Sequence, residues 1–204
     1  WAGRPAIPMF SLPFQQAWRL MAAAAPVTVR LCAQARRMKS RSANAIADLP
    51  GTDPRQPREI LYVSAHVDSV RGSEGGDDDA SGIALVLELA RLLSETPLRR
   101  TVRFVGYGVE ERLSVGSYQH YLRRARNGMT RAVFGFNADS IGCHMGLNHI
   151  SVAGPPALKR LVERVMRRSR CVGSVAEEIS PYSDQFALNM IDVPTVWLYR
   201  RTHP

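Results

Sequence analysis

A histidine, His66, and a block of three carboxylates, Asp77 to Asp79, lie about twelve residues apart between two apolar runs. An imidazole and several carboxylates in the loop between a buried strand and a helix can bind a divalent metal or move protons. Further along, Glu110-Glu111 follows the apolar stretch Thr101–Tyr107, Asp139 follows Ala132–Ala138, and His203 follows Thr195–Tyr199. Two histidines and several carboxylates, with no cysteine among them, suit Zn²⁺ or a similar ion. The excess of carboxylates suits a pair of metals sharing one bridging ligand. Two metals ~3.5–4 Å apart can acidify a water and polarise a carbonyl, and a carboxylate that is not a ligand must then take the proton.

Each group also has a plain structural explanation. His66 fits a satisfied strand-end histidine, Asp77–Asp79 a solvated turn or a charge cluster at a helix N-terminus, and Glu110-Glu111 an exposed loop. Asp139 fits a turn cap, and His203 a frayed chain end. What favours the metal site is that all of them fall at strand ends of one sheet.

Those strands follow from the pattern of apolar residues. Ile60–Ala65 is short and bounded by polar residues, as a buried strand is. Ile83–Leu93 is longer and periodic, and it predicts a helix over Ser81–Ser94 with Ser81 as its cap. Strands are expected at Ala45–Leu49, Thr101–Tyr107, Ala132–Ala138, His149–Ala153 and Thr195–Tyr199. Helices are expected at Val115–Arg126, at Ala157–Arg168 behind Pro155-Pro156, and over Ser183–Asn189. Repeated strand–helix units with continuous apolar strands imply an α/β fold, a mostly parallel (mixed) central sheet with helices on both faces. In such sheets chemistry gathers at the carboxyl ends of the strands, where the groups above lie.

Residues 1–42 have a different texture. Pro5, Pro8, Pro13 and Pro26 punctuate them, Phe14–Ala25 is helix-like and Val27–Leu31 strand-like. They read as the tail of a small module, followed by a main domain over residues 43–204. The chain opens on Trp1 and closes directly behind an apolar run, so we expect a longer parent protein at both ends.

At 204 residues and 45% hydrophobic content the chain is long enough for one α/β domain. No apolar run reaches the ~20 residues of a membrane span. The net charge of +9 comes mostly from arginine. The basic clusters lack interleaved aromatics or a recognisable module, so nucleic acid is not an expected partner. Cys32, Cys143 and Cys171 show no C-x-x-C spacing, which argues against a disulfide framework or a thiolate zinc site.

Several motifs, in order, resemble the zinc-dependent aminopeptidases of peptidase family M28. They are Asn44-Ala45-Ile46-Ala47 with Pro50-Gly51, His66-Val67-Asp68-Ser69, and Asp77-Asp78-Asp79-Ala80-Ser81-Gly82. Glu110-Glu111 with Gly116-Ser117, Asn137-Ala138-Asp139 and Ser183-Asp184-Gln185-Phe186 complete the series. The resemblance implies a zinc-exopeptidase-like fold, two Zn²⁺ per chain, peptide substrates and a secreted, periplasmic or cell-envelope setting. It further implies that His66 and Asp139 bind one zinc, Glu111 and a late histidine the other, and that Asp78 bridges both. Glu110 would be the general base, and Asp68 would hold the His66 ring in its ligating tautomer. Tyr182 is a candidate for steadying an oxyanion. His203 between Thr202 and Pro204 departs from the family's Tyr-His-Thr setting, so the late ligand is either His203 or a residue beyond Pro204. Asp79 stands where Asn is frequent, and Gln185 where a His often follows Ser-Asp. Residues before 42 resemble the end of a protease-associated domain through Ala6-Ile7-Pro8, the helix up to Leu20, and Val27–Leu31. Dipeptide hydrolysis, glutaminyl cyclisation and a noncatalytic binding role are the alternatives on such a scaffold.

Overall fold

Strand alternation sets the core. In Glu59–His66 (β2), Ile60 and Tyr62 face one side of the sheet while Val63 and Ala65 face the other, all of them buried. The computed structural model describes residues 11–32, 34, 36, 39–55, 59–127 and 131–201, with the side chains of 124–127 excepted. The chain divides into two units, Trp1–Ser40 and Arg41–Pro204.

In the second unit, β2 is joined by Ala45–Leu49 (β1), Thr101–Tyr107 (β3), Arg131–Ala138 (β4), Leu147–Ala153 (β5), Gly173–Glu177 (β6) and Thr195–Arg201 (β7). The sheet order is β1-β3-β2-β4-β7-β5-β6. Neighbours β3, β2, β4 and β7 run parallel, as do β5 and β6, while β1 against β3 and β5 against β7 are antiparallel. The carboxyl ends of β2, β3, β4 and β7 therefore open on one edge of the sheet.

Helices cover both faces. Ala80–Ser94 (α2) sets Ile83, Val86, Leu89, Ala90 and Leu93 against Val63, Ala65, Val102 and Phe104. Pro156–Ser169 (α4) packs Leu158, Val162 and Met166 on Ile150, Val152 and Val196. The opposite face carries Val115–Asn127 (α3) and the single turn Phe186–Asn189 (α5), with Tyr121, Ala187 and Leu188 on Ile60, Tyr62, Val105 and Tyr107. Each such fully buried large side chain contributes about 1.5–3 kcal/mol. Among the described residues no helix is long and apolar enough to cross a membrane.

Several expectations change, and the helix expected over Ser183–Asn189 is only the turn Phe186–Asn189. The N-cap of α2 is Asp79, whose Oδ1 accepts from Gly82 N at 2.9 Å, and not Ser81. Ser81 lies inside the first turn and its hydroxyl donates to Asp77 O. The cap position went to the residue with two acceptor oxygens, because Asp79 serves other strand ends as well. In the first unit the helix is shorter, Phe14–Met21 (α1), and Val27–Leu31 forms no strand. That segment is exposed, and among the described residues no strand pairs with it. β6 was not expected at all; its Gly-Ser-Val-Ala-Glu sequence is neither continuously apolar nor cleanly alternating. Ala6-Ile7-Pro8 lies outside the described residues.

Candidate metal centre

His66 closes β2 with its side chain 1% exposed. Its Nδ1 lies 2.9 Å from the main-chain carbonyl of Asp68 and 3.7 Å from that residue's carboxylate. In the neutral ring the N–H on Nδ1 belongs to that carbonyl, and the Nε2 lone pair is then the one available to a metal. Nε2 is buried and without a hydrogen-bond partner. Around it stand Asp78 Oδ1 at 2.9 Å, off the line of a hydrogen bond, Asp139 Oδ1 at 3.7 Å and Glu110 Oε2 at 4.0 Å. Burial pulls the imidazole's pKa down, but the neighbouring Asp139 charge, with Asp79 and Glu110 beyond it, outweighs this and pushes it to about 10. At 3.7 Å Asp139 acts as a nearby charge rather than a hydrogen-bond acceptor.

The three consecutive aspartates separate by partner. Asp77 Oδ1 accepts from Gly142 N at 2.6 Å, tying the turn to the loop behind β4. Asp79 is 1% exposed; its Oδ2 accepts from His66 N at 3.0 Å and its Oδ1 from Gly82 N and Ser140 N at 2.9 and 3.2 Å. One carboxylate thus pins the end of β2, the start of α2 and the end of β4. His66, Asp79 and Asp139 bring ligand atoms within 4.8 Å of one another. Yet three main-chain N–H groups already occupy the oxygens of Asp79. Burial, its largest influence, pushes this carboxyl up to about 7. Asp78, with its side chain half-exposed, offers the open oxygen; burial and then Asp139 raise its pKa too.

Behind β3 the chain enters a strained loop. Val109, Leu113 and Ser114 all have positive φ, at 64°, 68° and 51°, around a single 3-10 turn, Glu110–Arg112. Asp68 accepts from Glu110 N at 2.9 Å on one carboxylate oxygen and from Glu111 N at 3.3 Å on the other. Its carboxylate holds this loop, while its carbonyl orients His66. Asn44 closes the loop's ends: Gly108 N donates to its Oδ1 at 3.0 Å, and its Nδ2 donates to Gly116 O at 3.0 Å. Ser114 Oγ donates to Glu110 Oε1 at 3.0 Å, which leaves Oε2 facing His66. Burial raises the Glu110 carboxyl to about 7 and, with the Asp78 charge, also raises Glu111. Glu111 Oε1 is buried without a partner.

Asp139, 7% exposed, follows β4. Ser183 Oγ donates to its Oδ2 and Ser140 Oγ to its Oδ1. Burial raises this carboxyl, but His66 and Ser183 outweigh it and hold the group below its ordinary value. Asn137 donates to Ser183 Oγ and Gln185 Oε1 and accepts from Ser64 Oγ, so β2, β4 and the 183–185 segment share one buried network. Asp184, 1% exposed, has both oxygens buried without a donor of their own. Ser117 is close enough to lower it, but that hydroxyl donates to Ser114 O at 3.0 Å, and burial pushes the Asp184 carboxyl far up. Asn44, Ser114, Ser183 and Asp184 are the site residues whose roles residue type alone did not reveal.

His66, Asp78, Glu110, Glu111, Asp139 and Asp68 are thus brought together at one edge of the sheet. His203 lies outside the described residues. Tyr182 is 81% exposed, on the residue before Ser183. The donor set fits a zinc centre. The buried, unpartnered His66 Nε2 lies within 4.0 Å of the carboxylates of Asp78, Asp139 and Glu110, whose charge excess a divalent cation would neutralise.

The sequence model described as Peptidase family M28 matches residues 44–203. Aminopeptidase YwaD of Bacillus subtilis (strain 168) is 37% identical over 84 residues, covering 41% of this chain and 18% of that protein. An aminopeptidase of Pseudomonas aeruginosa is 31% identical over 164 residues, 74% of this chain and 30% of that one. The solved zinc aminopeptidase BSAP of Bacillus subtilis superposes with a TM-score of 0.68 at 23% identity, covering 77% of this chain and 39% of the other; it shares the fold. The chain spans less than a third of the length of these curated relatives.

Proposed function

The chain belongs to peptidase family M28, and from that premise we propose that it forms the catalytic core of a zinc aminopeptidase that releases the N-terminal residue of peptides. His66 Nε2, Asp78 and Asp139 would hold one zinc; Asp78 and Glu111 would hold a second, with His203 as the remaining candidate ligand. Zinc, when bound, supplies a Lewis acid for the scissile carbonyl and lowers the pKa of water.

The protein's own residues do the rest. Asp68 fixes the His66 ring through its carbonyl, and through its carboxylate it fixes the main chain of Glu110 and Glu111. Ser114 engages Glu110 Oε1, so Oε2 is the oxygen that takes a proton from the attacking water and returns it to the leaving amine. Burial raises this carboxyl, the direction that strengthens it as a base. Water then adds to the amide carbonyl, the C–N bond breaks, and the amine leaves with the proton from Glu110.

The observation that carries this reading is Glu110 itself: a mostly buried carboxyl with one oxygen tethered and the other 4.0 Å from the unpartnered His66 Nε2. The test is Glu110→Gln, with zinc content and hydrolysis of L-leucine p-nitroanilide measured together. We expect zinc retained and kcat reduced at least ~100-fold, the lower range for loss of a general base. A zinc-loaded variant working near the parent rate would refute the role.

A further inference from the structure

Glu110 and Glu111 sit on a loop whose backbone disfavours its own conformation. Val109, Leu113 and Ser114 are left-handed without being glycine, and for a β-branched residue such as Val109 this is a marked outlier. Such a loop keeps its shape only if its surroundings hold it. From within, Ser114 N bonds Glu110 O at 2.7 Å and Val115 N bonds Val109 O at 3.0 Å. From below, the Asp68 carboxylate holds the middle. The two ends, Gly108 and Gly116, are held together by Asn44 from across the sheet edge.

We propose that Asn44 is a positioning residue for the catalytic loop, setting where Glu110 and Glu111 stand by clamping Gly108 to Gly116. The amide is the right group for this task, because one end must accept from an N–H and the other must donate to a carbonyl. Aspartate of the same shape lacks the donor. The glycines are part of the same device. A Cβ on Gly116 would run into Gly108 O and Asn44 Oδ1, and one on Gly108 into Ser42 Oγ and Ala43 O. The close approach therefore needs glycine at both ends and asparagine between them. Asn44 is placed by β1, whose first pair, Ala45 with Gly106, lies directly beside it. Because the clamp acts on the loop that carries both glutamates, its loss is felt as misplaced chemistry before it is felt as lost folding.

The inference rests on the aminopeptidase reading for its kinetic consequences and on zinc binding alone for the rest. The experiment compares the full chain with Asn44→Ala and Asn44→Asp. It measures kcat and KM on L-leucine p-nitroanilide, affinity for zinc added alone, and amide hydrogen exchange. For Asn44→Ala we expect kcat to fall about 100-fold with KM within about threefold, the cost of roughly ångström-scale misplacement. Zinc affinity should fall about tenfold, as when a ligand loses its support. Exchange should rise at Gly108 while the β4 amides stay protected. Asn44→Asp, which keeps the acceptor for Gly108 N but sets a carboxylate oxygen against Gly116 O, should show a loss in the same direction; it carries the test if the alanine variant does not fold. Parent-like kcat, zinc affinity and Gly108 exchange in a folded variant would overturn the proposal. If the zinc-loaded parent cleaves no aminoacyl anilide, the aminopeptidase reading fails, and zinc affinity and Gly108 exchange still decide the role of Asn44.

Discussion

Replacing Asp68 by alanine is the sharpest perturbation of the loop that carries the two glutamates. The three left-handed residues at 109, 113 and 114 together store about 3 kcal/mol or more at ~1 kcal/mol or more each. Against this, the Asp68 carboxylate contributes two charge-assisted hydrogen bonds to Glu110 N and Glu111 N, together about 3–6 kcal/mol at ~1.5–3 kcal/mol each. The two terms are of the same size, so removing the carboxylate lets the strain decide where the loop goes. The His66 tautomer is unaffected, because Nδ1 is held by the Asp68 carbonyl, which any substitution keeps. Asp68→Ala should therefore lower kcat by ~100-fold or more, about 2.7 kcal/mol of transition-state stabilisation, through displacement of Glu110. Zinc at the His66 side should stay. The assay is steady-state hydrolysis of an aminoacyl anilide, with zinc stoichiometry and thermal midpoint measured on the same samples. Asp68→Asn keeps one acceptor and should lose less. A kcat within about threefold of the parent in zinc-loaded Asp68→Ala would refute the reasoning, since the strain would then need no such support.

Dialysis against a chelator should abolish activity and added Zn²⁺ or Co²⁺ should restore it; titration that finds no tight zinc site would remove the metal centre. Ser183→Ala leaves Asp139 Oδ2 and Asn137 Nδ2 short of a partner in a buried network, so we expect ~1–3 kcal/mol lost in urea unfolding. The same variant should bind zinc about tenfold more weakly in a calorimetric titration. Asp53 is held down to about 2 by hydrogen bonds from Arg55 and then Arg99. A depressed carboxyl stabilises the fold above its unfolded value of about 4, and this is lost as pH falls from there to about 2. Asp53→Asn should flatten the urea midpoint across that window and leave it unchanged in its pH slope near neutrality.

What could be read in the sequence was whatever lies next to an apolar run. His66, Glu110-Glu111 and Asp139 each follow a strand of continuous hydrophobicity, so topology alone gathers them at one sheet edge. The fold class followed from the same alternation. The choice among Asp77, Asp78 and Asp79 rests on which carboxylate is already occupied, and the occupants, Gly142, His66, Gly82 and Ser140, are scattered along the chain. Asp79 takes the α2 cap from Ser81 through the same distant partners. Ser183 reaches Asp139 across 44 positions and Asn44 reaches Gly116 across 72, and no local pattern announces such bonds. Asp184 looks like an ordinary polar loop residue until its surroundings prove to be fully buried. β6 hides because an edge strand with one partner needs little apolar character.

The position of Asn44 has a mechanical consequence. Among the described residues β1 is an edge strand, paired with β3 through five residue pairs running from Ala45–Gly106 to Leu49–Val102. A pull on the chain ahead of residue 44, directed across the strands, would open those pairs one after another, as a zipper is opened from its end. The first bonds in line are the two that Asn44 makes to Gly108 and Gly116. Tension applied from that side would thus reach the glutamate loop before it reaches any strand pairing, and the rate of turnover should drop at forces that leave the sheet whole.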